Sequence, residues 1–215
     1  MNPAEKIIVA LDNESVGESI ALFSSLKGTV YRFKVGHQQI FDRNFSMLLD
    51  TILIHKMGLF IDLKLYDTPD TVYRTVKRAG ERGVEFITLY NDVDVIDAAN
   101  RARGSSSIKL ICVEKLTSKL AISPEILPRS FNTDGVICPP SYLSFIRPFT
   151  EQLLITPGIR IPRPGYSILH PDNHSHVVTP KQAIDAGADY IVIGRSITKA
   201  KDPLKTVEDI ISSLT

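Results

Sequence analysis

Gly58-Leu-Phe-Ile-Asp-Leu-Lys-Leu-Tyr-Asp67 begins as an apolar run and ends in charge. Leu59 to Leu63 reads as a strand. Alternate residues of a strand share a face, so Asp62 and Lys64 point the same way. Asp67 follows in a loop, close enough to join them or to reach a neighbouring subunit. An ordinary salt-bridged strand end is the plain alternative. Clustered charges at the mouth of a buried strand nevertheless point toward chemistry, because they serve stability poorly there.

Outward from this stretch the same grammar repeats. Strand-like runs are Ile7–Leu11, Val30–Val35, Leu59–Leu63, Phe86–Leu89, Lys109–Val113, Gly135–Cys138, Leu153–Ile155 and Tyr190–Ile193. Between them apolar residues recur at helical spacing: Ile20, Leu22, Phe23 and Leu26; Val72, Val76 and Ala79; Ala183, Ile184 and Ala186; Val207, Ile210, Ile211 and Leu214. Gly58, Gly83 and Gly187 stand where helix C-caps are expected before a strand. Eight units in 215 residues give about 27 residues each, the size of a minimal strand–helix repeat. The alternation predicts an α/β fold, a (β/α)8 TIM barrel, as a single catalytic domain over residues 1–215. A doubly wound open sheet is the alternative. It would more often carry a Gly-x-Gly-x-x-Gly turn after the first strand, where this chain has Leu11-Asp12-Asn13.

Composition narrows the partners. Hydrophobic residues make up 43% and charged residues 23%, with a net charge of +1. No global field favours nucleic acid or an anionic membrane, so a phosphate ligand needs a local trap. Cys112 and Cys138 each sit in an apolar run and read as buried free thiols in a reducing compartment. The N-terminal stretch lacks the pattern of a signal peptide, and no apolar run approaches a membrane span. The default expectation is a cytoplasmic protein.

In a barrel of this kind, catalytic groups lie at the C-terminal ends of the strands. Those ends carry Asp12, Lys34, Asp62, Lys64 and Asp67, then Asn91 and Asp92, then Lys115, Thr117 and Ser118. Strand seven ends in Thr156-Pro157-Gly-Ile-Arg160 and strand eight in Gly194-Arg195-Ser196. The last two form a candidate phosphate cradle, with Gly194 for close backbone approach and Arg195 for a bidentate fork. A plain strand-to-helix turn with a solvated arginine is the other reading. Alternating Lys34, Asp62, Lys64 and Asp67 can hold one another charged. A lysine held between carboxylates stays protonated and can donate a proton.

These motifs are Ala10-Leu-Asp12, Lys34-Val-Gly36, Asp62-x-Lys64-x-x-Asp67-x-Pro69-x-Thr71, Leu116-Thr-Ser118, Thr156-Pro-Gly-Ile-Arg160 and Val192-Ile-Gly-Arg195. In this order the chain resembles bacterial orotidine 5'-phosphate decarboxylases over nearly its whole length. Related metal-dependent sugar-phosphate decarboxylases and hexulose-phosphate synthases share the Asp-x-Lys-x-x-Asp element but carry glutamate where this chain has Lys34. The resemblance implies decarboxylation of orotidine 5'-phosphate to uridine 5'-phosphate by a homodimer with shared sites, without metal or organic cofactor. It implies that Lys34, Asp62, Lys64 and Asp67 form the charged tetrad, Asp67 coming from the partner subunit. Lys64 would protonate the pyrimidine carbon and Asp62 would crowd the substrate carboxylate. Asp12 and Lys34 would bind ribose hydroxyls, Thr71 would reach across the interface, and Ser118 would contact the pyrimidine. Arg195, with Gly194 and Pro157, would hold the phosphate.

Three departures stand out. Asp67-Thr-Pro-Asp-Thr71 has an acidic Asp70 where the family has asparagine. Tyr90-Asn91 replaces a common histidine. The loop Ile161 to Val178 lacks the family's Gly-Asp-Gln-x-Arg element, and alignment on Thr179-Pro180 puts His174 at the glutamine and His176 at the arginine. His170, His174 and His176 read as a solvated loop, a substitute phosphate grip or a metal site. Two further functional readings follow: a catalytically weak nucleotide- or sugar-phosphate-binding barrel, and a metal-dependent decarboxylase or aldolase of the same superfamily.

Overall fold

The computed structural model of the chain describes residues 2–113, 132–161 and 178–215. Eight parallel strands close into a barrel in sequential order. They are β1 Ile7–Ala10, β2 Arg32–Gly36, β3 Gly58–Leu65, β4 Phe86–Tyr90, β5 Lys109–Val113, β6 Gly135–Ile137, β7 Leu153–Thr156 and β8 Tyr190–Ile193. Each expected strand forms, with boundaries moved by at most two residues. The helices are α1 Val16–Leu26, α2 Phe45–Ile54, α3 Pro69–Glu81, α4 Val93–Arg103, α5 Leu143–Ile146, α6 Pro180–Asp185, α7 Arg195–Thr198 and α8 Pro203–Ser213. No helix among the described residues is long and apolar enough to cross a membrane.

Strand alternation sorts the apolar residues into two cores. Ile7, Val9 and Leu11, Phe33 and Val35, Leu59, and Ile87 and Leu89 pack outward against the helices. Ile8, Ala10, Phe60, Phe86, Ile111, Ile155, Tyr190 and Val192 fill the barrel. On the helix side, α3 buries Val72, Val76 and Ala79, the stripe its spacing predicts. Its ends are set locally, since Pro69 occupies the first turn and Thr68 the N-cap. The helix α5 is only four residues long, enclosed between Pro139-Pro140 and Pro148.

Gly83 and Gly187 take left-handed φ values of 81° and 104° at helix C-termini, as expected of glycine there. Gly58 does not. It opens β3, and the left-handed residue after α2 is Lys56, at φ 57°. The demand at Gly58 is steric instead: a Cβ would collide with the Glu85 carboxylate and meet Arg32 Cγ at 2.8 Å.

Candidate functional site

The register that builds the barrel also assembles the site. Ala10 pairs with Lys34, Lys34 with Phe60, and Gly36 with Asp62. Phe33 and Val35 face the helices, so Lys34 turns inward, and likewise Asp62 beyond Phe60. Asp12 follows β1 at the same rim. Lys34 Nζ lies 3.3 Å from Asp12 Oδ1 and 3.3 Å from Asp62 Oδ2. Lys64 Nζ donates to Asp62 Oδ1 at 2.9 Å. The array therefore runs Asp12, Lys34, Asp62, Lys64 along one wall of the barrel mouth.

Asp62 and Lys64 do share a side, but simple alternation does not put them there. Between Ile61 and Leu65 the β3–β4 register shifts, four residues on β3 answering two on β4. Lys64 sits in this bulge at φ 49°, a left-handed conformation that a lysine adopts at a cost of order 1 kcal/mol. Thr88 holds the bulge. Its hydroxyl accepts from Lys64 N–H at 2.7 Å and donates to Asp62 Oδ1 at 3.0 Å. Sequence reasoning passed over Thr88, although it is the polar residue in the run Phe86-Ile-Thr-Leu89 and shares the inward face with Phe86.

Burial alone would push the Asp62 carboxyl up. Lys34, Lys64 and the bonds from Lys64 and Thr88 outweigh it and hold Asp62 below the ordinary carboxylate range. Side-chain exposure grades across the array: Lys34 11%, Asp62 15%, Lys64 34% and Asp12 42%. The inner members are fixed, while the Lys64 ammonium keeps an open side.

A second layer ties the loops that carry the array. Gln39, buried after β2, donates from Nε2 to Ser19 Oγ and to the Asn13 carbonyl. Ser19 Oγ reaches the Leu11 carbonyl, and Asp42 accepts from Val16 N–H. The β2–α2 loop thus clasps the β1–α1 turn beside Asp12. Neither Gln39 nor Ser19 is signalled by any motif.

The remaining expected site residues are distributed as follows. Asp67 stands outside its own chain's array. It is exposed, and its carboxylate accepts the Thr68 backbone N–H at 2.6 Å. Thr71, in the first turn of α3, pairs its hydroxyl with that of Thr68 at 3.0 Å. The acidic Asp70 forms an ion pair with Arg74 one turn on, which offsets its charge. Asp92 is a helix cap, accepting from Asp94 and Val95 N–H. Pro157 follows β7, and the adjacent Gly158 at φ 83° makes the turn that buries Ile159. Gly194 caps α7, and Arg195 begins it. A Cβ at Gly194 would meet Ala10 at 3.6 Å, an ordinary contact. Ser118, Lys115, Thr117 and the histidines His170, His174 and His176 lie outside the described residues. Among the described residues no cluster of three histidine, cysteine or acidic side chains could hold a metal ion.

Fold and site together define a parallel (β/α)8 barrel with a lysine–aspartate array at the C-terminal ends of its first three strands. The family model described as "Orotidine 5'-phosphate decarboxylase / HUMPS family" matches residues 5–124 and 125–210, and the chain belongs to this family. It is 32% identical to the orotidine 5'-phosphate decarboxylase of Afipia carboxidovorans, over 99% of this chain and 96% of that one. It is also 32% identical to that of Actinobacillus pleuropneumoniae serotype 5b, over 97% of this chain and 98% of that one. The crystal structure of orotidine 5'-phosphate decarboxylase from Lactobacillus acidophilus superposes with a TM-score of 0.79 at 27% identity, covering 98% of this chain and 99% of that one. An uncharacterized conserved protein from Geobacillus kaustophilus gives 0.78 at 25% identity, covering 97% and 100%.

Proposed function

We propose that this chain is a carboxy-lyase that converts orotidine 5'-phosphate to uridine 5'-phosphate, working as a cytoplasmic homodimer. The observation that carries the reading is the Asp12–Lys34–Asp62–Lys64 array, in a chain whose relatives are orotidine 5'-phosphate decarboxylases. In this reading the ionised Asp62 faces the substrate carboxylate. The two like charges repel, and that repulsion is relieved as carbon dioxide leaves. The carbon–carbon bond breaks and its electron pair stays on the pyrimidine carbon. Lys64 Nζ then gives that carbon a proton and is reprotonated from solvent. Asp62 accepts from Lys64 Nζ and aims it, and the proton comes from this side chain with neither metal nor organic cofactor.

Asp12 and Lys34 bind ribose hydroxyls, and Ser118 contacts the base. Gly194, Arg195, Pro157 and His174 receive the phosphate. Asp67 and Thr71 serve the site of a second copy, a role favoured by the position of Asp67 outside its own array. Binding energy from the remote phosphate is expressed at the reacting carbon.

The test is a chelator-treated assay with orotidine 5'-phosphate, following loss of the orotate absorbance and appearance of uridine 5'-phosphate. Turnover in chelator supports the reading. Folded dimer without turnover, or turnover that returns only with added metal, overturns it.

A further inference from the structure

Thr88 is bonded to both of the β3 groups that the reading above makes catalytic. Its side chain enters the barrel from β4 and is fully buried, so it acts through its neighbours and not on a substrate. Chemistry fixes the polarity of its bonds. A backbone N–H can only donate and an ionised carboxylate can only accept. The hydroxyl therefore takes the Lys64 N–H at 2.7 Å and gives its single proton to Asp62 Oδ1 at 3.0 Å. The same carboxylate oxygen accepts from Lys64 Nζ at 2.9 Å. A closed loop results. It runs from the Lys64 backbone through Thr88 Oγ1 to Asp62 Oδ1, and returns through the Lys64 ammonium and its stem.

Both ends of a flexible side chain are thereby tied to one oxygen. A lysine stem left free samples many rotamers, and a misplaced donor loses rate steeply. Among the described residues Asp62 is held by Lys34 from β2 on Oδ2, and by Lys64 on its own strand and Thr88 from β4 on Oδ1. The Asp12 carboxylate stands beyond Lys34. Burial opposes the ionised form of Asp62; the two lysines and the bonds from Lys64 and Thr88 favour it.

We propose that Thr88 is a positioning residue of the array, its hydroxyl fixing the Asp62 carboxylate and the Lys64 donor as one rigid unit for proton transfer. The role in proton transfer rests on the decarboxylase reading given above; the bonded unit itself rests on the geometry. The methyl group of Thr88 packs, but only the hydroxyl joins the two groups.

The experiment compares Thr88→Val, which removes the hydroxyl and keeps the branched shape, with Thr88→Ser, which keeps the hydroxyl and loses the methyl. Circular dichroism melts confirm folding; should Thr88→Val not fold, Thr88→Ala takes its place. With orotidine 5'-phosphate, kcat is expected to fall about a hundredfold in Thr88→Val while KM stays nearly unchanged. The interaction is lost from the transition state and not from nucleotide binding. Thr88→Ser should recover most of the loss. The Asp62 carboxyl is followed by NMR in protein carrying carbon-13-labelled aspartate, its signal assigned by its absence in Asp62→Asn. It should protonate at higher pH in Thr88→Val than in wild type.

A folded Thr88→Val with the wild-type kcat overturns the proposal. So does a Thr88→Ser as slow as Thr88→Val, which would assign the effect to packing by the methyl group. The titration needs no substrate and keeps the two readings apart. A wild type without turnover removes the decarboxylase reading. In that case a displaced Asp62 titration still supports the bonded unit, and an undisplaced one removes it as well.

Discussion

Strand β2 carries a cation at each end of the barrel, and the two are treated differently. At the N-terminal end Arg32 sends Nε and Nη2 to Glu85 Oε1, both at 2.9 Å, and Nη1 to the Glu5 carbonyl at 2.8 Å. Its guanidinium lies 4.9 Å from the Tyr190 ring centroid, and Lys109 covers Phe86 at 5.8 Å. At the C-terminal end Lys34 reaches two carboxylates, and the next cation, Lys64, reaches one among the described residues. The same strand, two residues on, passes from a cation bonded along its whole guanidinium to an array with an open side. Closed charge networks plug a barrel; an array left open on one side, and held open by a strained lysine, is arranged to receive something.

The sharpest way to break this comparison is to remove the open cation. Lys64→Ala is expected to lower turnover by about 10⁴-fold, the upper range for a lost general acid. Nucleotide binding should largely persist, since the phosphate and ribose contacts proposed above lie elsewhere. Single-turnover kinetics with a binding titration separate the two. Turnover within tenfold of wild type would remove Lys64 as the donor.

The matching cut at the other end is Arg32→Met. Removing one partner of a fully buried pair costs about 3–5 kcal/mol. Arg32 and Glu85 keep 18% and 25% of their side-chain surface in water, so about 2–3 kcal/mol is expected. For a chain of this length that lowers Tm by roughly 5–10 °C. kcat/KM of the folded fraction should be unchanged. A selective loss of activity would mean that the plug supports the array, and that the two ends are not separable.

Much of this was legible in the sequence because one physical signal repeats. Eight apolar runs bounded by helical spacing leave few closed arrangements, and strand ends in such a barrel point to Asp12, Lys34 and Asp62 directly. Lys64 was legible as a member of the array but not as a strained one. The bulge is bonded to Thr88, which lies on another strand and is 24 residues away. Gly58 was misread for a similar reason. Its neighbour Arg32–Glu85 is assembled from β2 and the residue that precedes β4, and a glycine before a strand looks the same whether it relaxes a turn or makes room for an ion pair. Gln39 and Ser19 were invisible because hydrogen bonds between loops leave no periodic trace.

Titration sharpens the contrast between polar and apolar sites. Asp62 has a folded pKa below its ordinary value, so the unfolded chain binds more protons in that interval. Its contribution to stability is complete above about pH 4 and is lost as pH falls through the depressed value. Asp62→Asn should flatten the acid arm of the stability profile. Cys138, fully buried after β6, has the opposite sense: burial pushes its thiol from 9.0 up to about 12. Between those values the unfolded chain loses a proton that the folded chain keeps, so stability falls as pH rises. The slope from this one group approaches about 1.4 kcal/mol per pH unit. Cys138→Ala should remove that share of the alkaline slope in denaturant titrations. An unchanged slope would mean that the folded thiol ionises in the ordinary range. A thiol reagent should likewise reach Cys138 only on unfolding.

The smallest expected effect is the most specific. In a strand, glycine is normally less stable than alanine, because it loses more backbone freedom on folding. At position 64 the order should invert. Both Lys64→Ala and Lys64→Gly remove the ammonium and expose Asp62 equally, so their difference isolates the backbone. At φ 49° an alanine Cβ is strained and glycine is not, which favours Lys64→Gly by about 1 kcal/mol in urea denaturation. Equal stability, or a more stable Lys64→Ala, would mean that the bulge relaxes once the Lys64–Asp62 pair is gone. The ion pair would then be what bends the strand, rather than Thr88. An inverted order would assign the bend to the Thr88 hydroxyl and the β3–β4 register. The open cation would then be presented by the scaffold itself, as rigidly built as the plug at the other end of the barrel.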